Sequence, residues 1–293
     1  MQRINTVSSA RPVGESQFPA ISPPAGFDPA AYWEERLRKN SGIAGVGYTT
    51  LGRCYNQWLY KIRRRVFLRL GNSLKSDWRT ARVLDIGSGT GFYIQLWKEM
   101  GAGLLEGSDL TEIAVSRLRQ KFVGETFHQL DIGGSLSLRG TGCFDVISAI
   151  DVFFHIVDDV RYTRACENVY NMLRPGGYFI FSDLLLHGTT QRSLHMVSRS
   201  LTEVEELLRT TGFEIVRRVP MFVLMNPPFD SCSQARMFLW RALAYTVRQS
   251  EVLGYAFGAA LYPLELILTR VMRESPTTEI LVCKKPPARS SLA

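Results

Sequence analysis

Residues 83–93 read VLDIGSGTGFY. An apolar run ends at an acid, three glycines follow at alternate positions, and IQLWKEM then continues with helical character. That order describes a buried strand, a sharp turn and a helix. Gly87, Gly89 and Gly91 carry no Cβ, so the turn brings backbone N–H groups close to whatever sits at the helix N-terminus. A dinucleotide fingerprint spaces its glycines G-x-G-x-x-G, but here the sixth position of that frame is Phe92, and Asp85 stands two residues before the first glycine. A carboxylate is unfavourable beside a pyrophosphate and attractive to a ligand that carries positive charge. The turn therefore predicts a nucleotide-like ligand with a cationic group.

The downstream spacing narrows this further. GLLEGSDLTEIAVSRLRQKF reads as a short strand ending at Asp109 followed by a helix opened by Thr111. FHQLDIGG places Asp131 at the end of a third strand, FDVISAIDVFFHI is a fourth buried strand, and LRPGGYFIFSD is a turn and a fifth strand. Over roughly residues 75–220 this succession resembles the class I S-adenosylmethionine-dependent methyltransferases. It is similar to the bacterial small-molecule enzymes of the ubiquinone and menaquinone biosynthesis type. The resemblance implies an α/β, Rossmann-like doubly wound sheet of seven strands with the last antiparallel, and S-adenosyl-L-methionine as cofactor. It implies cofactor-binding positions at Asp85, Gly87, Ser88, Gly89 and Gly91. A second set is Asp109 with Leu110, where the family's acid accepts the ribose hydroxyls. A third is Asp131 with Ile132, where a carboxylate receives the adenine amino group, and Ile150 completes the list.

A chain of 293 residues, 45% of them apolar, holds one α/β core with a cap. Residues 1–27, rich in Ser, Pro and Gly and without an apolar leader region, read as a disordered lead. Residues 28–74 read as two cap helices, the first opened by Asp28-Pro29 with Tyr32, Trp33, Arg36 and Leu37 on its inner stripe. In relatives such helices wall the acceptor pocket, so Tyr48, Tyr55 and Trp58 are either pocket residues or plain packing. The core is expected over 75–225, where Ser200 and Glu203 form a capping box and Gly212 stops a helix. A helical insertion is expected over 226–275, and a final strand and tail over 276–293. The apolar run Leu253–Leu268 inside the insertion is too short to span a bilayer. It is either buried against the cap or serves a lipid-like acceptor or a membrane surface.

Five scattered cysteines give no disulfide framework, and neither they nor the four histidines show metal-ligand spacing, so no metal is expected. A cytoplasmic location is the default reading. The net charge is +8, and the strongest basic cluster is KIRRRVF, residues 61–67, where Lys61, Arg64 and Arg65 share one side of a helix as a solvated face. An acidic acceptor is the alternative reading of that cluster. Nucleic acid is disfavoured, because there is no basic tail and no dense alternation of Lys/Arg with aromatics. Asn226-Pro227-Pro228-Phe229 matches the tetrapeptide with which base-modifying methyltransferases hold an exocyclic amine. That motif belongs after the fourth strand, so at residue 226 it reads as a turn.

Methyl transfer from a sulfonium needs alignment and exclusion of water more than it needs catalytic groups. Ligands of open parallel sheets bind at strand carboxyl ends, which makes Asp151, Phe153 and His155 the candidates after the fourth strand. Asp151 is expected on the pocket floor. His155 is the candidate general base, or else a structural hydrogen-bonding residue. Asp183, His187, Arg192, His195 and Arg199 form a second, acceptor-side set. The sequence thus points to methylation of an oxygen on a small-molecule metabolite. The alternatives are C- or N-methylation of a lipid-like or phosphorylated acceptor, and a scaffold that kept the fold without the reaction.

Overall fold

The computed structural model describes residues 27–40, 42, 46–74, 77–136 and 141–287. The expected lead lies outside the described residues apart from Phe27. Helix α1 (Pro29–Lys39) starts where Asp28 accepts hydrogen bonds from Ala30 N and Ala31 N, with Pro29 at the first turn. After a 3-10 turn (Thr49–Leu51), helix α2 (Arg53–Ser73) buries Tyr55, Leu59, Ile62 and Val66. The core then alternates β1 (Arg82–Ile86), α3 (Phe92–Glu99), β2 (Leu104–Asp109), α4 (Glu112–Lys121), β3 (Thr126–Gln129), β4 (Phe144–Ala149), α5 (Asp159–Met172) and β5 (Leu173–Asp183). A small hairpin, β6 (Gln191–Arg192) and β7 (Val197–Ser198), has no signal in the sequence and precedes α6 (Leu201–Thr211) and β8 (Glu214–Pro220). Helices α7 (Gln234–Gln249) and α8 (Glu251–Val271) lead to the last strand, β9 (Glu279–Lys284).

The seven-stranded sheet has the order β3-β2-β1-β4-β5-β9-β8, with β9 antiparallel to both neighbours. This is the Rossmann-like doubly wound arrangement of seven strands with the last antiparallel. Crossover helices cover both faces, so β4 is buried along its whole length, as a strand packed on two sides must be. The order reverses between β1 and β4, and the chain leaves both strands at the same edge of the sheet. Ser200 and Glu203 form the capping box of α6, and Gly212 ends it in the left-handed conformation.

The insertion is a helical hairpin. Ser250 caps α8 by accepting from Val252 N, so the helix begins just before the apolar run. The helix runs 21 residues, which corrects the expectation of a segment too short to span: by length and composition alone it is long enough to cross a membrane. Here it packs lengthwise on α2. Gly258 faces Trp58 so closely that a Cβ would stand 2.3 Å from Trp58 Cδ1. Glu265, fully buried, accepts from the backbone N of Val223, Leu224 and Met225.

Candidate active site

A cavity of about 960 Å³ opens at the carboxyl ends of β1, β2 and β4 and is roofed by α1 and the segment leading to the 3-10 turn. Its first half is largely backbone. Gly87 and Gly89 line it with φ of 68° and 51°, in the left-handed region that disfavours a side chain. A Cβ on Gly87 would meet Val152 Cγ2 at 2.3 Å, so the turn and the loop after β4 approach too closely for any other residue. Gly91 sits behind the wall as a packing glycine, its missing Cβ occupied by Phe122 and Leu118. Ser88, Leu110, Ile132 and Ile150 also line the cavity.

Three acids accompany this turn. Asp109 lines the cavity and is oriented by the chain itself: Oδ2 accepts from Gly89 N at 2.9 Å, and Oδ1 accepts from Thr111 N at 3.0 Å and Thr111 Oγ1 at 2.7 Å. Burial raises its pKa. Asp131 lines the cavity between Gly133 N and Arg161. Asp85 lies beneath the turn instead of in the wall. Ser148 donates to its Oδ1 at 2.6 Å, while Oδ2 is buried without a partner, as is the neighbouring Tyr93 hydroxyl. Burial pushes the Asp85 carboxyl up to about 7.

The second half is made of side chains from distant segments. Tyr32, Trp33 and Arg36 of α1 line it, as does Tyr48, whose burial lifts its phenol to about 12. Ile150 and Asp151 follow directly on β4. Asp151 is the only non-glycine described residue with positive φ, 59°. Its strained backbone is held by Ser182, which accepts from Asp151 N at 2.7 Å, and by Arg63, which donates two bonds to Oδ2 at 3.0 and 2.6 Å. Asp151 is therefore an ion-paired floor residue and not a free base. Arg63 itself was hidden in the basic run. The sequence marks Lys61, Arg64 and Arg65 as the outer face, and the helical turn points Arg63 inward over the ring of Phe222.

His155 lines the cavity from the 3-10 turn Phe153–His155. Its Nδ1 is 2.7 Å from the His195 carbonyl oxygen. A carbonyl only accepts, so Nδ1 carries the proton and Nε2 keeps its lone pair. Burial lowers its pKa to about 4, and the ring is neutral at neutral pH. Trp33 meets it edge-on at 4.7 Å, and His195 stacks between it and Tyr32.

Several sequence candidates do not reach the cavity. Tyr55 turns into the core and donates to Met225 O at 3.1 Å, and Trp58 packs between Tyr255 and Tyr262. Phe153 is fully buried against Phe179 and Phe181, and the adjacent Phe154 takes the lining position. Asp183 accepts from Tyr162 Oη at 2.7 Å under a raised pKa of about 6, caused by burial. Arg199 stacks over Tyr162 and pairs with Asp159, as does Arg192. His187 is exposed and bonded to Asp230, 2.5 Å away. Of the five candidates in and around that loop only His195 contributes to the wall, where Leu184 and Met196 join it. Asn226 and Phe229, read as a turn, do line the cavity, and Asn226 is held by Thr278 Oγ1 at 3.0 Å. No local pattern marks Arg63 or Asn226 as inward-facing. Among the described residues no cluster of three His, Cys, Asp or Glu side chains forms a metal-binding group.

Residues 83–177 match the family described as "Methyltransferase domain". The ubiquinone biosynthesis O-methyltransferase of Ralstonia nicotianae is 27% identical over 205 residues, covering 67% of this chain and 71% of that protein. The ribosomal protein L11 methyltransferase of Staphylococcus aureus is 30% identical over 105 residues, 35% of this chain and 32% of its own length. Among solved structures, magnesium protoporphyrin IX methyltransferase from Synechocystis aligns with a TM-score of 0.52 at 15% identity over 89% of this chain and 99% of that one, a likeness of fold. The fold, the glycine turn and these likenesses define a class I S-adenosylmethionine-dependent methyltransferase. Its cofactor is S-adenosyl-L-methionine.

Proposed function

We propose that this enzyme methylates an oxygen of a small-molecule metabolite with an apolar or aromatic body, with His155 as the general base. The observation that carries the reading is the His155 ring, locked by the His195 carbonyl into the tautomer with a free Nε2 and kept neutral by burial at the wall of the cavity. S-adenosyl-L-methionine supplies the electrophilic methyl group when bound. The glycine turn fits it: Gly87 and Gly89 leave backbone exposed to the cavity, and Asp109 and Asp131 present carboxylates at its polar end. Asp85 lies beneath the turn, where its backbone carbonyl accepts from Ser88 Oγ and its carboxylate from Ser148, so it supports the turn from below instead of meeting the ligand. Asp109 would hold the ribose hydroxyls and Asp131 the adenine amino group, and Ser88, Leu110, Ile132 and Ile150 would pack around them.

The chain's own residues then do three things. The α1 residues Tyr32 and Trp33, with Tyr48 and Phe154, enclose an apolar body and exclude water. Arg63 neutralises Asp151, so the floor repels neither a hydroxyl nor an alkoxide forming above it. His155 Nε2 accepts the hydroxyl proton as the oxygen becomes nucleophilic. Release of S-adenosylhomocysteine with a panel of phenolic, catecholic and aliphatic hydroxyl acceptors, repeated on His155→Ala, tests the reading. A hydroxyl acceptor turned over equally by both proteins would overturn it. C- or N-methylation of a lipid-like acceptor is the second reading, favoured by the apolar hairpin α7–α8, whose Glu265 holds residues 223–225 just before Asn226 of the cavity wall.

A further inference from the structure

Helix α8 is amphipathic in the wrong sense for a surface helix. Its fully buried positions are Gly254, Gly258, Glu265 and Thr269, set against α2 and the 221–225 segment, with Leu261, Tyr262 and Leu266 half-buried beside them. Its outward face carries Val252, Tyr255, Phe257, Leu264, Ile267 and Val271, each exposed, with Val252 at 76%. A water-facing helix buries its apolar stripe and exposes its polar one. Here only 22% of the apolar window is buried. Helix α7 extends the same surface with Phe238, Leu239 and Tyr245, each about two-thirds exposed or more.

The charge around this face has one sign. Between Ser233 and Arg273 the sequence holds Arg236, Arg241, Arg248, Arg270 and Arg273, no Lys and no Asp, and only two acids. Neither acid is available to an outside partner in full. Glu265 is buried, and Glu251 accepts from Arg53 N and Cys54 N at 2.8 and 2.6 Å. Cations from α2 border the seam: Lys61 stands 3.5 Å over the Trp58 ring, and Arg69, bonded to Thr269 O, has its pKa lowered by burial and by the nearby charge of Arg270. Apolar side chains ringed by arginine and interleaved with tyrosine are complementary to a phospholipid surface of negative charge.

We propose that the α7–α8 hairpin lies on an anionic phospholipid surface, its outer face inserted at the headgroup boundary and its arginines on the lipid phosphates. The helix lies in the plane of that surface because its inner stripe is committed to α2. The same hairpin braces the cavity: Glu265 holds the strand of chain that leads to Asn226, and Arg248 reaches Thr50 Oγ1 at 3.4 Å on the other wall.

The test is co-sedimentation of the full chain with vesicles of phosphatidylcholine alone and of phosphatidylcholine with about one-third phosphatidylglycerol. The proposal expects binding to the anionic vesicles that is about tenfold weaker on neutral ones or at high salt. It expects Phe257→Ser with Ile267→Ser to abolish binding while melting temperature and cofactor affinity stay at parent values. Arg241→Glu with Arg270→Glu should weaken binding to anionic vesicles alone. No vesicle binding, binding indifferent to lipid charge, or equal binding by the serine variant would overturn it. So would a dimer in light scattering that the serine substitutions dissolve, because the face would then belong to a second copy. Cofactor affinity and turnover of a water-soluble acceptor read the proposed reaction separately.

Discussion

The two halves of the cavity are built by different means. The polar half comes from one continuous stretch, residues 86–132, in which each strand end delivers an acid or a glycine into place. The other half, which we propose for the acceptor, draws on α1, the loop after β4, the β6–β7 loop and the segment after β8. Local geometry organises the first: Asp109 is held by residues within its own turn and by Gly89. Tertiary packing organises the second: Asp151 is held by Arg63, 88 positions away, and His155 by the carbonyl of His195, 40 positions away. Substitutions should therefore separate cofactor binding from turnover.

The largest separation is expected for His155→Ala, which lowers turnover of a hydroxyl acceptor by roughly 10²–10⁴-fold while leaving cofactor affinity by calorimetry unchanged. Equal losses in both would merge the two halves. Next comes Arg63→Met, which leaves the Asp151 carboxylate part-buried and unpaired at a strained φ. Urea denaturation should show a loss of about 3 kcal/mol, and Arg63→Lys should recover part of it through charge without the two-pronged geometry. Asp109→Ala acts in the opposite half. It should weaken cofactor binding by about 2 kcal/mol, and a matching change in acceptor KM would break the comparison.

The smallest effect is one of pH. The His155 pKa is lowered from 6.5 to about 4, so the ring remains neutral until pH falls through that lower value. The acid limb of kcat/KM is expected nearer pH 4 than 6.5, and a limb at or above 6.5 would remove His155 as the base. The same shift sets a sign for stability. A depressed folded-state pKa contributes stability that is fully present above 6.5 and is lost as pH falls toward 4, because the unfolded chain takes up the proton first. The parent should therefore lose ground to His155→Gln over that window in thermal melts, and a difference independent of pH would contradict the burial of the ring.

Much of the core could be read in advance because its signals are local. Alternate glycines, strand-end acids, the Ser200 capping box and the Gly212 stop each constrain the backbone within a few residues of themselves. Failures occurred where one residue had two ways to turn. Tyr55 and Trp58 have the chemistry of pocket residues, but the helical phase of α2 sends them into the core and against α8. Arg63 has the chemistry of a solvated charge, and the same phase sends it to Asp151. Arg192 and Arg199 stand in a polar loop beside His195, and Asp159 claims both.

Sequence alone determined the strand–glycine–helix turn, the order of the acids that follow it and the apolar character of the insertion. These rest on backbone sterics and periodicity, which act over a few residues. Only the tertiary structure decided which side chains line the second half of the cavity, how Asp151 is neutralised, which tautomer His155 adopts and which face of α8 is left outside. Those outcomes depend on burial and on partners 40 to 88 positions distant, whose meeting is set by how the helices pack on the sheet.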